Sequence, residues 1–146
     1  MDNIMLDRTP ASADQEAVAA LVARARAAQR AFADATQEQV DDAVAALAWS
    51  IYEPGRARAL AELAVADTGL GNVTDKITKN QRKTFGTLRD LMRVRTVGVI
   101  EEDTAKGIVK IAKPLGVVGA VTPSTNPAAT PVNKAMMAVK GRNAII

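Results

Sequence analysis

The 146-residue sequence contains no cysteine and no histidine, and aromatic residues make up only 3% of it. Without cysteine, the chain has no disulfide, no thiolate nucleophile and no cysteine-ligated metal. Without histidine, it has no imidazole base, no serine–histidine pair and no HExxH zinc motif. The remaining candidates for covalent or acid–base chemistry are lysine, serine, threonine, tyrosine and the carboxylates. If this chain belongs to an enzyme, either the chemistry is unusual or the decisive residue lies outside the chain.

Long hydrophobic runs are also absent, since none approaches the ~20 residues that span a membrane. The start of the chain lacks a secretory pattern, because Met1 is followed by Asp2 and not by a basic stretch and an apolar block. Hydrophobic residues make up 48% and charged residues 24%, which argues against disorder. We therefore expect one soluble, cytoplasmic domain that buries a core.

Basic residues exceed acidic ones only slightly, 19 to 16, which gives a formal net charge of +3. The excess is concentrated in one stretch, which carries Lys76, Lys79, Arg82, Lys83, Arg89, Arg93 and Arg95 against Asp75 and Asp90. This stretch is either a nucleic-acid surface or a solvated helix face. We favour the solvated face and expect no nucleic-acid partner, because Phe85 is the only aromatic residue available for stacking.

Composition changes near residue 96, and helix-forming residues dominate before it. Apolar spacing predicts helices at about 14–33, from a capping box at Thr36, at about 55–67 and at about 72–93, with Gly69 as a left-handed stop. The residues predicted to form their apolar faces are Val18, Leu21, Val22, Ala25, Ala28 and Phe32, then Val40, Val44, Leu47 and Ile51, then Leu60, Ala61 and Ala64, and last Val73, Ile77, Leu88, Leu91 and Met92.

After residue 96, strand and turn residues dominate. Residues 96–101 and 108–112 predict a β-hairpin with a turn at 102–104. Residues 116–121 form a continuous apolar run, which is typical of a central parallel strand that is buried on both faces.

A loop at 123–131, a short helix at 132–139 and a strand from Asn143 then complete one βαβ unit. The predicted fold class is therefore α/β: an N-terminal helical layer, a β-hairpin arm and the first βαβ unit of a parallel, Rossmann-like sheet. Because the chain stops at Ile146 inside a strand, we expect a fragment of a longer protein.

The most informative segment is 113–127, KPLGVVGAVTPSTNP, because it places a loop at the carboxyl end of a parallel strand. Sheets of this class bind ligands there. Pro127 restricts Asn126 to extended backbone angles, and a rigidly held amide is a good donor to a developing oxyanion. Ser124, Thr125 and Thr130 add hydrogen-bonding groups. From spacing alone, we favour Asn126 as a turn residue that caps the following helix.

Residues 113–146 resemble the start of the nucleotide-binding domain of the aldehyde dehydrogenase superfamily. Most members carry Pro-Trp-Asn where this chain has Ser-Thr-Asn at 124–126. The PSTNP form at 123–127, followed by Lys134 and by KGRNAII at 140–146, resembles the CoA-acylating branch. The segments AVADTGLGN at 64–72 and GVIEED at 98–103 fit the same branch, and within it the chain looks most like the members that act on sulfoacetaldehyde.

This resemblance implies a domain organisation and a set of partners. Residues 1–95 would be the N-terminal helices of the nucleotide-binding domain, 96–112 an oligomerisation β-hairpin, and 113–146 the start of the NAD(P)-binding βαβ unit. The cofactor would be NAD or NADP, CoA the co-substrate, and a small aldehyde the substrate of a homo-oligomer, a dimer or a tetramer. The resemblance also suggests a bacterial microcompartment as an alternative location, and attraction of anionic CoA or substrate as a third role for the basic stretch.

The resemblance implies roles for individual residues as well. Asn126 would be the catalytic oxyanion donor, and Thr122, Pro123, Ser124 and Thr125 would border the nicotinamide and ribose of the cofactor. No metal is implied. Because the family reaction needs a cysteine and this chain has none, we expect the isolated chain to be inactive. The alternative is a catalytically silent helical interaction module.

Overall fold

The computed structural model describes residues 12–146. Residues 1–11 lie outside the described residues. They include the start of the predicted segment 1–95 and the residues on which the prediction about secretion rests. In the described part, four helices are followed by a β-hairpin and a βαβ unit, so the fold is α/β as predicted. The elements are α1 Ala13–Phe32, α2 Gln37–Tyr52, α3 Pro54–Thr68, α4 Val73–Met92, β1 Gly98–Asp103, β2 Ile108–Ala112, β3 Val117–Val118, α5 Ala129–Lys140 and β4 Ala144–Ile145.

The boundaries of the first four helices follow from local capping chemistry. At the start of α2, the Thr36 hydroxyl accepts the N–H of Gln39 at 3.2 Å, and the Gln39 side chain accepts the N–H of Thr36 at 2.9 Å. This is the predicted capping box. Gly69 ends α3 with a left-handed φ of 64°, as predicted. Asn72 caps α4 by accepting the N–H of Asp75 at 2.9 Å.

The hydrophobic core lies where α2 meets α5. Val44 and Ala48 of α2 and Met136 of α5 are buried in it. Half-buried side chains from α2, α4 and α5 pack around them: Leu47, Leu88, Leu91, Val132 and Val139. The buried face that the sequence predicts for α2 is therefore confirmed, and the core anchors α5 against the helical layer.

The apolar stripe predicted for α1 is wrong over most of its length. Ala25 is the only buried residue of α1, and Val18 and Leu21 are exposed. The reason is that α1 packs on the strands β3 and β4, while residues 12–21 are all exposed in the described part of the chain.

None of the helices within residues 12–146 is long and apolar enough to cross a membrane.

The buried face of α4 also differs from the prediction, because it is polar. Its buried residues are Lys76, Asn80 and Thr84, which recur every four residues on one side of the helix. Helix α4 packs on α3, whose buried stripe consists of the small residues Ala57, Ala61 and Ala64. Asn80 donates to the Ala57 carbonyl at 3.2 Å, so this helix contact is hydrogen-bonded. Of the predicted apolar face, Leu88 and Leu91 pack half-buried against the core, while Met92 is exposed.

The hairpin is antiparallel, as predicted, but its turn lies later than expected. Asp103 still belongs to β1, and Gly107 turns the chain with a left-handed φ of 66°. The ammonium of Lys106, at 3.0 Å, and then its backbone N–H, at 3.1 Å, hold the pKa of Asp103 below its ordinary value. Across the strands, Glu101 pairs with Lys110 at 2.7 Å.

The parallel strand predicted at 116–121 is shorter and less buried than expected. Only Val117 and Val118 pair as β3, parallel to β4, and Val121 is exposed. Within residues 12–146, β4 is the only strand that pairs with β3, so the other edge of β3 has no strand neighbour there. The helix that follows begins at Ala129, three residues before the predicted start at Val132.

Asn143 holds the start of the βαβ unit together. Its side-chain oxygen accepts the N–H groups of Leu115 at 2.6 Å and Gly116 at 2.9 Å, which lie directly before β3. A Cβ added at Gly141 would lie 2.7 Å from the Asn143 amide nitrogen. Only glycine therefore fits there without displacing the side chain that aligns the strands.

We expect Gly141→Ala to lower the free energy of unfolding by about 1–3 kcal/mol, because two hydrogen bonds of Asn143 are disturbed. Gly86→Ala is the matched control. It lies inside α4 with no atom within 4 Å of an added Cβ, so the substitution should stabilise the chain by about 0.5–1 kcal/mol. Urea denaturation measures both, and effects of the same sign would contradict the role of Gly141.

The start of α3 generates a prediction about pH. The carboxylate of Glu53 accepts the N–H of Gly55 at 2.9 Å and that of Arg56 at 2.8 Å, and these bonds hold the pKa of Glu53 below its ordinary 4.5. A lowered pKa stabilises the fold above the unfolded value, and this stability is lost as the pH falls through the folded pKa.

We therefore expect Glu53→Gln to be less stable than the native chain at neutral pH, with a difference that shrinks as the solution is acidified below pH 4.5. Glu62→Gln, at an exposed position of the same helix, is the control. Thermal melts across this pH range give the comparison. A Glu53→Gln difference that stays constant with pH would contradict the capping role.

Candidate active-site loop

The predicted site residues lie on the loop between β3 and α5. The N–H of Asn126 donates to the Pro123 carbonyl at 3.2 Å and closes a tight turn. The loop leaves the carboxyl end of β3, which is the edge where parallel sheets bind ligands. The structure thus places the candidate residues where the sequence predicts, at the end of a parallel strand.

Two lysines from different helices hold this loop. Lys134 of α5 donates its ammonium to the Val121 carbonyl, at the beginning of the loop. Lys76 of α4 donates to the Thr125 carbonyl at 3.4 Å, next to Asn126. Lys134 is half-buried. The loop is therefore braced from both sides, which favours a defined position for the Asn126 side chain.

Spacing alone favours Asn126 as a turn residue that caps the following helix; the turn is observed, but the capping role is wrong. The N-cap of α5 is Ala128, and no side chain caps this helix end. Asn126 itself is half-buried. The Asn126 side chain therefore does not cap α5. The first N–H groups of α5 have no side-chain partner.

The other candidate residues differ from Asn126 in exposure. Thr122, Pro123, Ser124 and Thr125 are all exposed, whereas Thr130 is half-buried in the first turn of α5. Their hydroxyl groups can donate and accept hydrogen bonds. The loop therefore presents an exposed polar edge on one side of a partly buried amide. Among residues 12–146, no group of three acidic, histidine or cysteine side chains is placed to hold a metal.

Sequence reasoning missed the contribution of α4 to this site. A cleft of about 340 Å³ lies between the start of α4 and the loop, and its lining includes Asn72, Lys76, Lys79 and Thr125. Lys76 is only 9% exposed, which contradicts the prediction that the basic stretch is a solvated face at this position. The spacing of Lys76 and Lys79, three residues apart behind a capping asparagine, is the signal that could have placed both on one helix face.

The sequence also matches known proteins. The model of the aldehyde dehydrogenase family covers residues 6–146 of the chain. The chain belongs to the aldehyde dehydrogenase family. The resemblance seen in the sequence is therefore confirmed, and the loop with Asn126 is a loop of a family member.

Two relatives of this chain are acylating members of the family. The chain is 67% identical over 137 residues to the acylating sulfoacetaldehyde dehydrogenase of Cupriavidus necator, covering 94% of this chain and 28% of that protein. It is 48% identical over 122 residues to the acylating sulfoacetaldehyde dehydrogenase of Bilophila wadsworthia, covering 84% of this chain and 26% of that protein.

A solved structure agrees with these relatives. The acetylating aldehyde dehydrogenase of Geobacillus thermoglucosidasius superposes with a TM-score of 0.85 at 39% identity, and the match covers 89% of this chain and 28% of that one. The chain therefore spans little more than a quarter of the length of each of these three proteins.

Proposed function

We propose that the protein containing this chain oxidises an aldehyde to an acyl-CoA, with NAD(P)⁺ as the hydride acceptor and CoA as the acyl acceptor. The observation that supports this most directly is the braced loop with Asn126 at the carboxyl end of a parallel strand, in a chain that is similar to acylating aldehyde dehydrogenases. By the same similarity, we propose sulfoacetaldehyde as the aldehyde.

In this proposal, Asn126 stabilises the oxygen of the reacting carbonyl. Attack on an aldehyde turns the carbonyl oxygen into an oxyanion, and a donor already fixed in place stabilises that charge without reorganisation. The turn to Pro123 and the lysine bonds to Val121 and Thr125 hold the backbone around Asn126. The attacking thiolate must come from another part of the protein, because residues 1–146 contain no cysteine.

The exposed edge of the loop fits a dinucleotide. The side chains of Thr122, Ser124 and Thr125 offer hydroxyl groups to a ribose, and the uncapped first turn of α5 offers backbone N–H groups. NAD(P)⁺, when bound, supplies the hydride acceptor. We propose that Thr122, Pro123, Ser124 and Thr125 border its nicotinamide end, while the partly buried Asn126 faces the aldehyde.

We also propose that the hairpin of β1 and β2 pairs with a second copy of the protein in a homo-oligomer. Both strands are exposed over nearly their whole length, and they form a separate two-stranded sheet. Their exposed apolar side chains are Val99, Ile100, Ile108, Val109 and Ile111. A two-stranded ribbon is marginally stable alone, which favours its burial in an interface.

The test of the proposed function is Asn126→Ala in the complete protein. We expect kcat with an aldehyde, CoA and NAD(P)⁺ to fall about 10²–10³-fold, because one oxyanion donor is lost. The dissociation constant for NAD(P)H should change little, since the loop backbone is held by other contacts. Absorbance of NAD(P)H measures the rate, and its fluorescence measures binding.

Thr104→Ala, in the exposed hairpin turn, is the control and should keep the native rate. An unchanged kcat in Asn126→Ala would contradict the role of this amide. A complete protein that forms no NAD(P)H with any aldehyde and CoA would overturn the proposed function and favour the silent interaction module.

A further inference from the structure

The cleft between α4 and the loop contains a buried cation without a carboxylate partner. Lys76 is 9% exposed, and its hydrogen bond to the Thr125 carbonyl is long, at 3.4 Å. Within residues 12–146, no acidic side chain forms a salt bridge with it. An ammonium has three donors, and a buried charge is costly unless it is paired. Lys76 therefore has capacity for an anion in this cleft.

Two further features make the cleft electropositive. Lys79 lies one turn after Lys76, lines the same cleft and likewise forms no salt bridge in the described chain. The cleft also lies at the amino end of α4, where the helix dipole favours negative charge. Asp75 is the one carboxylate in the lining, and its Oδ2 is engaged by the capping Asn72 amide at 2.7 Å.

We propose that Lys76 and Lys79 bind the sulfonate group of the aldehyde substrate while Asn126 binds its carbonyl oxygen. This inference rests on the proposed function and adds the residues that select the substrate. Lys76 contacts Thr125, whose Cα lies about 3.8 Å from that of Asn126. In sulfoacetaldehyde, the carbon that bears the sulfonate is bonded directly to the carbonyl carbon. A two-carbon substrate therefore matches an amide and a cation site that adjoin along the chain.

The same chemistry could also receive a phosphate of CoA, since sulfonate and phosphate both offer several oxygens to ammonium donors. The position next to the residue that binds the reacting carbonyl favours the substrate. A phosphate of CoA is separated from its thiol by a long pantetheine arm. The two sources are distinguished by which kinetic constant changes.

The experiment compares sulfoacetaldehyde with acetaldehyde, which lacks the anion, in the complete protein. We expect Lys79→Met to lower kcat/KM for sulfoacetaldehyde about tenfold to a hundredfold more than for acetaldehyde, because a charged hydrogen bond is lost. Lys76→Met should lower kcat/KM with both aldehydes, because it also removes the hydrogen bond to Thr125, and the loss should be larger with sulfoacetaldehyde. Lys83→Met, at an exposed position of α4 outside the cleft, should behave like the native protein.

A second readout uses ethanesulfonate, which carries the anion but no aldehyde. It should inhibit the native protein competitively against sulfoacetaldehyde, and Lys79→Met should weaken that inhibition at least tenfold. Equal losses with both aldehydes in both cleft variants would overturn the proposal and leave the lysines a structural role. A raised KM for CoA with an unchanged aldehyde preference would overturn it in favour of the phosphate. In each of these outcomes the dehydrogenase activity persists, so they are distinct from a failure of the proposed function.

Discussion

The ion pair between the buried Lys140 and the half-buried Asp41 joins α5 to α2, beside the hydrophobic core that the two helices share. Lys140, at the end of α5, is 2% exposed and donates to the carboxylate of Asp41 in α2. The same carboxylate accepts from Gln37 at 2.9 Å, and the Gln37 side-chain oxygen accepts the N–H of Thr96 at 2.8 Å. One polar network thus ties α5, α2 and the entry to the hairpin. Removing one member of such a pair leaves a buried charge unmatched, so the network specifies the arrangement.

Arg142 extends this link to α1 and the hairpin. Its guanidinium donates to the carbonyls of Ala33, at 2.6 Å, and Ala112, at 3.1 Å, while its own carbonyl accepts from Gln29. Its left-handed φ of 57° is uncommon for a side-chain-bearing residue, and these contacts hold it there. Because the end of α5 is fixed in this way and its middle packs in the core, its beginning has a defined place. That beginning carries the loop with Asn126, so the candidate site depends on contacts made at the opposite end of the helix.

Local chemistry made much of the fold predictable. The capping box at Thr36, the stop at Gly69 and the hairpin pairing depend on neighbouring residues, and all are observed. Predictions that depended on tertiary contacts between distant elements were less successful. The sequence pattern of α1 gives no sign that only its second half meets the sheet, and the extent of β3 depends on neighbouring strands.

The candidate loop was predictable for a related reason, since its residues are consecutive. The contribution of α4 was not, because Lys76 and Thr125 lie 49 positions apart and helix periodicity favours apolar faces. The α3–α4 contact is formed by alanines against polar side chains, which an apolar pattern does not detect.

The two buried lysines within residues 12–146 differ in how their charge is satisfied. Lys140 and Lys76 are similarly enclosed, but Lys140 has a carboxylate and Lys76 has one long bond to a carbonyl. A pair such as Lys140 with Asp41 satisfies its own charge and has little left for a ligand. The ammonium of Lys76 gains more from an incoming anion, since its desolvation is not yet offset by an opposite charge. Under the proposal, keeping such a cation beside Asn126 lowers stability in the empty site and improves discrimination in favour of an anionic substrate.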